Sequence, residues 1–206
     1  MEKPKTRGPS LEKTQDTRNK IIEAALQQFI QEGFARSKIS DIAKRAELGK
    51  GTIYSYFETK EQLFEGVIDA MINESFRPIK ANEISHDESV YEFIVKKITP
   101  SVLTLEATGR AQMALLILRE GHHFPNIRET YNNKIFLPIQ HELHQLIELA
   151  IQRKELPANT SVQHLALLIV SPMWMGMIYN GILNPNEAIQ LDQLFKENLK
   201  YLFHQS

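Results

Sequence analysis

Lys50, Thr52, Tyr54, Ser55, Tyr56 and Lys60 place ammonium and hydroxyl groups close together along one short stretch of chain. This is the chemistry of recognition: such donors reach base edges and phosphate oxygens. Nothing comparable points to catalysis, because no nucleophile, base and orienter stand at a recognisable spacing. Lys50 and Thr52 begin a short helical pattern, the end that enters the major groove in helix-turn-helix proteins, and are the expected base readers. Tyr54 and Tyr56 join a planar body to a hydroxyl that reaches phosphate, although both also suit a small domain core. Lys60 lies at a helix start, where backbone amides favour an anion. Ser40 and Lys44, on the preceding pattern, reach the rim of the groove. Ser55 shares the polar face, and Gly51 reads as a steric necessity within it.

The elements that hold these residues are short. Ile39, Ile42, Ala43 and Ala46 recur at three- and four-residue spacing, and Ile53 with Phe57 forms the facing stripe. Leu48 plugs the corner, and Gly49 and Gly51 permit a tight reversal, giving a helix-turn-helix over about 38–57. Helices below roughly 12 residues are marginal alone in water, so neighbours must hold the pair.

Residues 17–67 carry a family pattern: Thr17-Arg18, Ile21, Ala24-Ala25, Phe29, Gly33-Phe34, Asp41-Ile42-Ala43, Gly51-Thr52-Ile53-Tyr54, Tyr56-Phe57, Lys60-Glu61 and Leu63-Phe64. The stretch resembles the DNA-binding domain of TetR-type transcriptional repressors. The resemblance implies an all-α fold of about nine helices, with a three-helix helix-turn-helix domain joined to a larger helical bundle. It also assigns Tyr54, Tyr56 and Lys60 to phosphate contacts. Two positions depart from the pattern. Glu47 stands where the family has a turn glycine, a conformation that costs a non-glycine residue roughly 1 kcal/mol or more, and Gly49 could relieve this by shifting the turn. Lys38 stands where an N-capping Thr is usual, which leaves Ser37 or Ser40 to cap the second helix.

Composition bounds the rest. The 206 residues carry a formal net charge of −1, but the charge is segregated. Residues 1–60 hold twelve Lys and Arg against eight Asp and Glu, and the remainder holds twelve against seventeen. A basic head on an acidic body implies that the N-terminal part meets phosphate. The chain has no Cys, which fits a reducing compartment and excludes thiolate metal sites. With no cleavable signal pattern, the expected location is cytoplasmic, at the nucleoid when DNA is bound. The apolar run from Leu165 to Leu183 is interrupted by Ser171-Pro172, Gly176, Asn180 and Gly181 and reads as a buried helix, not a membrane span.

Residues 1–13 lack apolar periodicity and read as a flexible basic arm, either solvated or adding contacts to DNA. Residues 14–78 form the expected DNA-binding domain and 79–206 a ligand-binding and dimerisation domain. The first helix should run from about Thr14–Thr17 to Glu32 and stop at Gly33, and Thr59 with Gln62 reads as a capping box for a fourth helix that ends near Pro78. Helical patterns follow over about 87–107, 109–122, 125–154, 160–183 and 187–204. Pro100, Pro138 and Pro172 each fall inside one and should kink it.

Phe93, Met113, Ile117, Tyr131, Phe136, Met173, Trp174, Met177 and Tyr179 are numerous enough to line an apolar cavity, although each also suits plain core. His141, Trp174 and Tyr179 are its expected polar handles. His122-His123 and the His141, His144 pair lack a forced third ligand, so no metal and no cofactor is expected. One head contacts too few base pairs for specificity, so a homodimer on a double-stranded, near-palindromic operator is expected, with a small-molecule effector of unspecified identity. The resemblance places the dimer interface on the last two helices, here Leu167, Ile178, Ile189, Leu194, Phe195, Leu199 and Leu202. It also packs the helix end at Arg119, His122 and His123 against the head, as a relay. Activation instead of repression, or regulation without a ligand, remains open from the sequence.

Overall fold

The computed structural model describes residues 11–75 and 79–203. Most of the expected basic arm, and Arg77 with Pro78, lie outside that range. All regular structure among the described residues is helical, and the chain divides into two compact units, Met1–Ala70 and Met71–Ser206. The division falls within the fourth helix, ahead of the residue-78 boundary expected from Pro78.

In the first unit, α1 (Leu11–Arg36), α2 (Ile39–Arg45), α3 (Lys50–Tyr56) and α4 (Lys60–Ser75) enclose a small aromatic core. Phe29, Phe34 and Phe64 meet with ring centroids 5.6–5.7 Å apart, and Ile21, Ile42, Ile53, Leu63 and Val67 fill the space around them. Gly33 breaks α1 with φ of 79°, and one more turn carries Phe34 inward. Ser37 donates to the carbonyls of Gly33 (2.6 Å) and Gln28 (3.2 Å), so it finishes α1 instead of capping α2. The N-cap of α2 is Lys38, with no side-chain cap. The Thr59 hydroxyl accepts from the Gln62 amide at 3.1 Å, while the Gln62 side chain accepts from Glu58 and not from Thr59. The box is therefore offset by one residue.

In the second unit, α5 (Val90–Leu103), α6 (Arg110–Glu120), α7 (Pro125–Tyr131), α8 (Leu137–Gln152), α9 (Val162–Ile178) and α10 (Leu191–Phe203) build a bundle. A π-helical turn over Asn132–Phe136 joins α7 to α8 without a break. Counted as one rod, they bring the described helices to nine. The wide turn covers Lys134, the carbonyl four residues before Pro138, which is where the proline ring would clash in a regular α-helix. Phe93, Ile94, Leu143, Leu146, Ile147, Ile169, Phe195 and Leu199 form the fully buried centre, with α10 against α9 and α5, and α8 against α9. A side chain at Gly176 would collide with Leu191, so α9 and α10 approach closely there. Ser89 and Glu92 form a complete capping box at α5, and Glu155 accepts from the Val90 amide at 2.7 Å. The segment Val162–Leu183 is long and apolar enough to cross a membrane, but α9 gives Leu165, Ala166, Ile169, Val170 and Met177 to the core.

The structure corrects part of the expected dimer face. Phe195 and Leu199 are fully buried within their own chain, because α10 turns them onto α9 and α5. Of the expected positions Leu167, at 43%, and Ile189 are exposed, and Leu168, Met175 at 52% and Tyr201 at 69% are exposed besides. Ile178, Leu194 and Leu202 are half-buried.

Candidate DNA-reading helix and ligand cavity

Helix α3 is seven residues long, and of these only Ile53 is buried. Arg45 holds the α2 end of the motif to α1 through the side-chain oxygens of Gln27, Gln28 and Gln31, and Arg18 lies over the Phe57 ring at 5.4 Å. With Ile53 and Phe57 fixed inward, Lys50, Gly51, Tyr54 and Ser55 are exposed and Thr52 and Tyr56 half-buried. The Lys50 ammonium sits 5.6 Å from the Tyr54 ring centre, and the Ser55 hydroxyl donates back to the Thr52 carbonyl at 2.7 Å. Ser40 and Lys44 are exposed on α2.

Three sequence expectations change here. Glu47 takes a left-handed φ of 57°, while Gly49 is extended (φ −71°, ψ 145°) as the N-cap of α3. The strain is thus not shifted onto the glycine. A Cβ at Gly51 would meet nothing within 4 Å, so the fold itself does not require glycine there. Lys60 is engaged inside the unit: its ammonium donates to the carbonyls of Phe34 (2.7 Å), Ser37 (3.2 Å) and Ala35 (3.4 Å) and lies 4.4 Å from the Phe34 ring centre. It clasps the last turn of α1, where carbonyls lack intrahelical partners.

The second unit contains a cavity of about 110 Å³. Of the residues expected to line it, Tyr131, Phe136, Met173, Trp174 and Met177 do so, with Tyr131 edge-on to Trp174 at 6.1 Å. The others do not. Phe93 belongs to the buried centre, a turn before the stretch of α5 that faces the cavity. Met113 and Ile117 are buried on α6, which turns Arg110 to the cavity in their place. His141 is on the exposed face of α8, 3.0 Å from the Gln145 amide nitrogen, and the Tyr179 hydroxyl accepts from Asn184 at 2.9 Å. Ile79, Ile98, Val102, Leu105, Ile139 and Val170 complete the apolar wall, and Lys97, Ser101 and Arg110 are polar members that sequence reasoning missed. The spacing of Lys97, Ser101 and Leu105 along α5 and its C-terminal turn was the available signal.

Burial, opposed by the nearby Arg110 charge, raises the Tyr131 pKa and keeps the phenol protonated. Arg119 pairs with Glu120 at 3.0 Å, and the exposed His122 and His123 rings meet edge to face. No group of three or more metal-capable side chains is gathered among the described residues.

Residues 21–67 match the family model described as bacterial regulatory proteins, tetR family. The chain is 26% identical over 177 residues to a probable acrEF/envCD operon repressor of Escherichia coli (strain K12), covering 82% of this chain and 77% of that one. The structure of FadR from Bacillus subtilis in complex with stearoyl-CoA superposes with a TM-score of 0.75 at 21% identity, over 91% of this chain and 98% of that one. The HTH-type transcriptional regulator TtgR of a Pseudomonas putida strain is 38% identical over 194 residues, 90% of this chain and 89% of that one. With that identity running through both units, the chain belongs to the TetR family of bacterial transcriptional regulators.

Proposed function

We propose that the protein is a cytoplasmic homodimeric repressor, bound to a near-palindromic operator and released from it by a small apolar or amphipathic molecule. The observation that carries this reading is the cavity: an apolar wall with a few convergent polar groups is the usual form of a small-molecule site, and here it lies in a chain that also bears a reading helix. Lys50 and Thr52 are the base readers, with Ser40, Lys44, Tyr54, Ser55 and Tyr56 on the rim and backbone. Gly51 lets the N-terminal end of α3 approach DNA, since a side chain there would fill space the fold leaves open. The exposed stripe of Leu167, Leu168, Met175 and Tyr201 supports a twofold interface between copies. The operon repressor among its relatives favours repression over activation.

Ligand-driven release needs about 3–5 kcal/mol of difference in affinity between two conformations. Arg119, His122 and His123 form the relay: Arg119→Ala or His122→Ala should keep operator affinity and lose the ligand response. The central test is selection of bound sequences from genomic DNA followed by gel shift. Half-sites about 34 Å apart are expected, and no sequence-specific binding by the dimer would sink the reading.

A further inference from the structure

One polar residue of the cavity carries a charge that no carboxylate among the described residues balances. Arg110 is 8% exposed, and buried cations are ordinarily paired with an anion. Its Nε donates to Thr108 Oγ1 at 2.8 Å, Nη1 to Ser101 Oγ at 2.7 Å, and Nη2 to the Ser101 carbonyl and Thr104 Oγ1, each at 2.6 Å. All four acceptors are neutral. No carboxylate pairs with Arg110 among the described residues, and one N–H on Nη1 has no acceptor there. The other cation of the lining, Lys97, is already paired with Glu83. The Tyr131 hydroxyl, which shares the lining and feels the Arg110 charge, likewise donates to no described residue, and burial holds it protonated. The cavity therefore offers one unbalanced positive charge, uncommitted donors on Arg110 and Tyr131, and the Ser101 hydroxyl, within an apolar wall.

We propose that the cavity ligand is a monocarboxylate with a compact apolar body, its two oxygens accepting from Arg110 and Tyr131 while the body lies against Val102, Met173 and Trp174. This rests on the ligand-released reading above and specifies the ligand class. A single buried charge balances a monoanion, and Arg110 and Tyr131 can each donate to one carboxylate oxygen, where a phosphate dianion would leave charge unmet. The volume of about 110 Å³ is below that of cavities that hold benzene, about 150 Å³, so with modest give the body is about one ring, not a long chain.

Calorimetry on the full-length protein, with benzoate and its neutral isostere benzamide as probes, tests this. The acid should bind at least about tenfold more tightly than the amide, the scale of a charge-assisted hydrogen bond. Arg110→Gln should abolish that preference while leaving amide affinity within about threefold. Because Arg110 also ties the end of α5, Tyr131→Phe provides a second variant, which should narrow the preference without disturbing those bonds. Equal affinities, tighter binding of the amide, binding of neither, or tighter binding of phenyl phosphate than of benzoate would overturn the proposal. An amide that releases operator DNA at concentrations no higher than the acid needs overturns the carboxylate while leaving the ligand-released repressor intact; operator binding that no cavity occupant alters overturns the repressor reading itself.

Discussion

The polar groups of the reading helix come from seven consecutive residues, whereas the cavity draws its wall from residues between Ile79 and Met177. The first set is exposed to water and meets its partner only on binding, so Lys50 and Tyr54 exact little from the free protein. The second is buried, and Arg110 keeps its charge among neutral oxygens, an arrangement that disfavours the empty state and favours an anionic occupant. A surface reader can thus be varied residue by residue, while a buried cavity is tied to the packing of the whole bundle.

The largest expected effect lies on the reader. Lys50→Glu combined with Thr52→Ala should lower operator affinity about a thousandfold or more, since each base contact is worth about 1–3 kcal/mol and a dimer makes each twice. Gel shifts at fixed salt measure this, with unchanged circular dichroism as the control; retained specific binding would break the contrast. In the body, Phe195→Ala should destabilise by about 3–5 kcal/mol in denaturant unfolding, because the ring is core, whereas Tyr201→Ala should weaken dimerisation and leave the protomer fold intact. A small effect of Phe195→Ala on unfolding, with a large one on dimerisation, would return that residue to the interface.

Lys60→Met should remove about 1.5–3 kcal/mol of stability by taking the ammonium from three carbonyls, without changing the salt dependence of DNA binding. A slope shallower by about one per head would instead make Lys60 a phosphate anchor. The smallest effect is a gain: Glu47→Gly should stabilise the head by about 1 kcal/mol by relieving its left-handed backbone, read as a raised unfolding midpoint.

The head was largely legible because its signals are local. Ile53 and Phe57 at one-turn spacing fix which side of α3 is inside, and Glu47 marked the turn. What local signals did not show there is the company these side chains keep: Lys60 reaches carbonyls more than twenty residues away, and Ser37 turns back to Gly33 and Gln28 of α1. In the body the helices were legible by periodicity and proline, and the Ser89–Glu92 capping box is a local signal of the same kind. Which face of each helix meets the cavity was not, and so Phe93 and His141 were placed in it while Ser101 and Arg110 were passed over.

The sequence by itself determined the family, the all-helical class, the helix-turn-helix and the basic head on an acidic body, because capping, turn chemistry and three-to-four-residue spacing act over a few residues. Only the tertiary structure decided that Phe195 is core, that Lys60 is a clasp and that Arg110 lines the cavity with no anionic partner among the described residues. Periodicity sets a stripe on each helix, but the rotation of one helix against the next depends on side chains distant in sequence, as where the absence of a side chain at Gly176 lets Leu191 close in.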